Sequence, residues 1–162
     1  MIKKLMLPAV LSVVLLAIGC IKSQDSETAC TLKPIAEEMT AMTKFATDSA
    51  ITTTQDASGI LYQIIEPGTG ATPTAGSSVT ARYVGRFLSG KGFDSTTTKY
   101  PDGIAFPLNG VIKGWQLGIP KIKEGGKIKL IIPSSLAYGC QNYFSIPANS
   151  PLYFYVELVK VQ

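Results

Sequence analysis

Val79-Thr80-Ala81-Arg82-Tyr83-Val84-Gly85-Arg86 sets Val79, Ala81, Tyr83 and Gly85 against Thr80, Arg82, Val84 and Arg86. A period of two with the charges on one side is the pattern of a half-buried β-strand. Upstream, Ile60 to Ile65 reads as another strand, closed by the turn Glu66-Pro67-Gly68-Thr69-Gly70. Downstream, Lys127-Ile128-Lys129-Leu130-Ile131-Ile132 alternates before Pro133, and Leu152 to Val161 places Leu152, Phe154, Val156 and Leu158 on one face. Between these runs, Val111 to Leu117 suits a short helix, with Pro120 soon after it. An antiparallel sheet folded around one short helix is an α+β domain.

The 162 residues suit one domain with appendages, and a hydrophobic share of 46% is enough for a core. No histidine is present, which excludes Ser-His-Asp triads, Cys-His pairs and His-ligated metal sites. The three cysteines show no Cys-x-x-Cys spacing. Net charge is +4, and without Lys3 and Lys4 the chain keeps 13 basic against 11 acidic residues. Neither that balance nor any basic patch points to nucleic acid.

Lys3 and Lys4 precede an apolar run from Leu5 to Ile18, the n- and h-regions of a secretory signal. The run is shorter than the ~20 residues of a membrane-spanning helix. Its end, Leu16-Ala17-Ile18-Gly19-Cys20, resembles a bacterial lipobox, with Cys20 as the lipid acceptor. The expectation is a signal peptide over 1–19, a lipidated tether and short helix over 20–57, and the main domain over 58–162. Ile21 after the cysteine favours the outer membrane within the cell envelope, on its periplasmic or surface face. Pro34, Glu37 and Glu38 open a helix with Ile35, Met39, Met42 and Phe45 or Ala46 on one side. That helix either packs on its own domain or pairs with a second chain. The stretch 47–58 reads as loop. Cys30 and Cys140 form an even pair once Cys20 carries lipid, either bonded or as two free thiols.

Tyr83-Val84-Gly85-Arg86, Phe93-Asp94-Ser95, Val111-Ile112-Lys113-Gly114-Trp115, Ala137-Tyr138-Gly139, Ile146-Pro147-Ala148-Asn149 and Phe154 to Leu158 follow one another in this chain. In that order they resemble the FKBP family of peptidyl-prolyl cis-trans isomerases, over about residues 58–162. The resemblance implies a twisted antiparallel sheet wrapped around one short helix, no cofactor and no metal. It implies an apolar pocket with Trp115 as floor and with Tyr83, Phe93, Ile104, Phe106, Val111, Ile112, Ile146 and Phe154 around it. The resemblance also implies that Asp94 and Tyr138 are its polar catalytic groups beside Trp115. Implied substrates are unfolded or proline-containing polypeptides, and macrolides are implied inhibitors; the membrane is reached through the lipid anchor. A chaperone-like lipoprotein that holds peptides with little isomerase activity is the alternative.

Two departures stand out. The family's arginine after Phe-Asp-Ser is missing, and only Lys99 could substitute; a lysine lacks the planar fork. The flap after Tyr138-Gly139 reads Cys140-Gln141-Asn142-Tyr143-Phe144-Ser145 where the family carries glycines.

Overall fold

The structure, a computed structural model, describes residues 30–96 and 99–162; Cys20 and the signal-like segment lie outside them. Helix α1 (Ile35–Asp48) starts after Pro34, with Glu37 and Glu38 in its first turn. Its buried line is Glu38, Met42 and Ala46, one residue per turn on a single face. A buried carboxylate in that line is a departure from the expected apolar stripe.

Seven strands follow: β1 (Thr54–Gln55), β2 (Leu61–Glu66), β3 (Ser78–Phe87), β4 (Gly92–Ser95), β5 (Ile104–Pro107), β6 (Lys127–Ile132) and β7 (Leu152–Val161). A second helix, α2 (Lys113–Gly118), lies between β5 and β6 in the chain. All pairings are antiparallel, in the order β1-β2-β6-β7-β3-β4, with β5 also on β3. This is the α+β sheet expected from the alternation. The stretch 47–58 is not all loop: it holds the end of α1 and β1. A two-residue strand has no period to read.

The sheet is covered on both faces. Ile128, Leu130, Val156, Leu158, Val79 and Ala81 point inward against Trp115 and Ile119. On the outer face Leu61 and Ile131 are buried beneath Met42 and Ala46 of α1, with Ile51, Phe45 and Tyr153 around them. Alternate residues of β6 therefore serve two cores, which is why Ile131 breaks the expected alternation. Helix α1 thus packs on its own domain.

The segment before α1 is tied to the stretch between β6 and β7. Cys30 and Cys140 are joined in a disulfide, their Cα atoms 5.3 Å apart, within the usual span for such a bridge. Nearby, the Lys33 N–H donates to Asn149 Oδ1 at 3.1 Å, and Asn149 Nδ2 donates to the Thr31 carbonyl at 3.3 Å.

Candidate active site

The cleft opens between α2 and the inner face of the sheet, and its floor depends on two glycines. Gly114 and Gly118 lie one turn apart on the face of α2 that meets β6. A Cβ on Gly118 would come within 2.7 Å of Leu130, and one on Gly114 would run into Ile132. Without those carbons α2 lies flush on the strand and Trp115 is presented to the cavity, only 5% exposed. Tyr83 and Phe154 meet the indole edge-to-face at 5.0 and 5.2 Å between centroids, and Phe106 lies tilted at 5.5 Å. Such pairings add to the burial of each ring.

Phe93 and Asp94 both line the cleft although they are consecutive. Register explains this: Gly85 pairs with Asp94 but Arg86 with Gly92, so Phe93 is the extra residue of a bulge. Gly85 leaves the space, since a Cβ there would sit 2.7 Å from Phe93 and 3.0 Å from Phe154. On the opposite wall, Gln116 Nε2 donates to the Val111 carbonyl at 2.8 Å and fixes the segment carrying Val111 and Ile112.

The polar groups divide by their commitments. The Tyr83 hydroxyl donates to Asp94 Oδ2 at 2.6 Å. Burial, and then that hydrogen bond, pushes the Tyr83 phenol far above its usual range. Thr96, buried beside them, accepts from the Tyr83 N–H at 2.9 Å and donates to the Tyr83 carbonyl at 3.3 Å. Tyr138 is half-buried, and burial followed by the neighbouring Tyr143 raises its phenol as well. Its hydroxyl has no hydrogen-bond partner among the described residues, and neither does the buried Trp115 Nε1.

Tyr83, Phe93, Asp94, Ile104, Phe106, Val111, Ile112, Trp115, Tyr138 and Phe154 all border one cavity of about 280 Å³. Ile146 borders a smaller adjoining hollow that shares Phe93, Asp94 and Tyr138. Tyr143 lines both and was not anticipated: its ring stacks on Tyr138 at 4.2 Å, 12° from parallel. Only the unusual flap composition hinted at it. The flap closes on itself through paired backbone bonds between Tyr143 and Ile146, leaving Phe144 92% exposed at its tip. Lys99 does not replace the missing arginine; its ammonium lies over the Tyr100 ring at 5.2 Å. Among the described residues no group of three or more acidic or cysteine side chains is placed to hold a metal ion.

Fold and cleft define an α+β domain that encloses a cavity among aromatic rings, with the Tyr138 and Tyr143 hydroxyls uncommitted among the described residues. Residues 70–159 match the family profile described as FKBP-type peptidyl-prolyl cis-trans isomerase. The chain belongs to this family. It is 43% identical over 119 residues to the FKBP-type isomerase FkpA of Escherichia coli K12, covering 74% of this chain and 43% of that protein. It is 38% identical over 129 residues to FK506-binding protein 4 of Mycosarcoma maydis, covering 80% of this chain and 34% of the relative. A solved peptidyl-prolyl isomerase from Pseudomonas syringae superposes with a TM-score of 0.65 at 35% identity, covering 82% of this chain and 98% of that one. The chain spans less than half the length of the two curated relatives.

Proposed function

We propose that this protein catalyses cis–trans rotation about the peptide bond preceding proline in polypeptides. The observation that carries the reading is an aromatic cleft with Trp115 at its floor and the free Tyr138 hydroxyl at its rim. Rotation costs about 18–20 kcal/mol because amide resonance is lost midway, while the two X-Pro isomers differ by only about 0.5–1 kcal/mol. Neither a proton nor a nucleophile is needed, which suits a chain without histidine. The twisted amide is less dipolar than the planar one, so apolar walls disfavour the ground state relative to it. Tyr138 donates to a substrate carbonyl, Tyr83 holds Asp94 beside the rotating bond, and Val111, Ile112 and Trp115 enclose the prolyl ring. An FK506-type macrolide is expected to compete for the same space and to change Trp115 fluorescence.

The deciding experiment is protease-coupled turnover of a short X-Pro peptide by residues 30–162. Acceleration that the macrolide abolishes supports the reading; a folded protein without acceleration overturns it. Retention of unfolded chains is a second reading, favoured by the exposed Phe144 beside the cleft. It would show as suppressed aggregation of a denatured client without turnover.

The cellular setting we propose is the envelope, with Cys20 lipidated and the outer membrane as address, in support of exported proteins that are folding. The support is the Leu16–Cys20 sequence. Among the described residues no helix is long and apolar enough to cross a membrane. Cys20→Ser is expected to block fatty-acid labelling and leave an unprocessed precursor; label in the variant would contradict the anchor.

A further inference from the structure

Glu38 is 2% exposed, in the middle of the contact between α1 and the domain. No lysine or arginine pairs with it among the described residues. A buried carboxylate without a cation is costly unless its oxygens are satisfied by donors. Both are: Ser134 donates its backbone N–H at 2.8 Å to Oε2 and its hydroxyl at 2.5 Å to Oε1. An apolar side chain there would leave the buried Ser134 N–H and hydroxyl without these acceptors, so the carboxylate fixes the geometry of Ser134.

That geometry leads to Tyr138. The Ser134 carbonyl accepts the N–H of Ala137 at 3.0 Å and of Gly139 at 2.8 Å, the two residues that flank Tyr138. Ser134 is therefore held by Glu38 on one side and holds both flanks of Tyr138 on the other. Beyond Gly139, Cys140 is bonded to Cys30, just ahead of the same helix. The loop bearing the uncommitted Tyr138 hydroxyl is fastened at two points to the segment 30–38, outside the residues that match the family profile.

We propose that Glu38 is a positioning residue for Tyr138: α1 sets the aim of the hydroxyl through Ser134. This rests on the isomerase reading for its kinetic consequence but not for its structural one, so two readouts are needed. The first is amide hydrogen exchange of Ala137 and Gly139 in the full chain. In Glu38→Ala both are expected to exchange at least about tenfold faster, as loss of a buried charged hydrogen bond implies, while amides of β6 and β7 keep their rates. Glu38→Gln, which still offers one acceptor and one donor to Ser134, is expected to restore most of the protection; it also serves if the alanine variant does not fold.

The second readout is kinetic. Glu38→Ala is expected to lower kcat about tenfold at nearly constant KM, and to have no further effect on a Tyr138→Phe background, since both remove the same hydroxyl from its place. Unchanged exchange at Ala137 and Gly139 in a folded variant overturns the proposal. So does a kcat loss that multiplies with that of Tyr138→Phe, because Glu38 would then act through general stability. An inert parent protein with the exchange effect intact would overturn the isomerase reading and leave the positioning role standing.

Discussion

A tyrosine hydroxyl that already donates to a carboxylate at 2.6 Å, as Tyr83 does, is spent on holding its partner. Tyr138 has no such commitment, so these two of the cleft's three phenols are not equivalent. Tyr138→Phe is expected to lower kcat/KM about tenfold, the worth of one transition-state hydrogen bond, with an unchanged urea midpoint. A midpoint shift of the same size would mean a structural role instead. Because burial and then Asp94 hold the Tyr83 phenol up, and burial holds Tyr138 up, both remain protonated donors at neutral pH. A raised phenol loses its proton only in strongly alkaline solution, so kcat/KM is expected to be flat between about pH 6 and 9. A bell-shaped profile in that range would place a titrating base in the cleft. The residue types of the cleft were legible in the motifs. Thr96 was not, because a buried threonine gains its partner only through the β3–β4 register, which no local pattern encodes.

Helix α2 shows how an element turns two missing side chains into a site. Gly114→Ala forces a methyl into Ile132, which is fully buried, whereas a Cβ on Gly76 meets nothing within 4 Å. The first is expected to cost about 1–3 kcal/mol as overpacking, and the second to leave stability nearly unchanged; chemical denaturation of both checks this. Equal stability of the two would mean that α2 can lift from the sheet at no cost. The long strands were readable because each shows several periods. The two-face burial of β6 was readable only in part, since it depends on where α1 lands. Nothing in 35–48 alone says that Glu38 points inward, because a first-turn acid ordinarily faces solvent at the helix's positive end.

At the scale of the molecule, the disulfide spans a sequence separation of 110 residues. Closing so long a loop is worth up to about 4.7 kcal/mol in the chain-entropy account, so reduction is expected to lower Tm by several degrees and loosen the flap first. Alkylation followed by mass spectrometry checks the bond: thiol labelling of Cys30 and Cys140 in exported, unreduced protein would refute it. Sheet order has a consequence of another kind. Strand β7, the last of the seven in sequence, lies between β6 and β3 and pairs along almost its whole length with β3 and over Leu152–Glu157 with β6. A chain that emerges from its N-terminal end can form the β3–β4 hairpin early but cannot join the two halves of the sheet until Leu152–Val161 arrives. Closure of the sheet therefore waits on Leu152–Val161, and the residues before it cannot complete this fold without that strand.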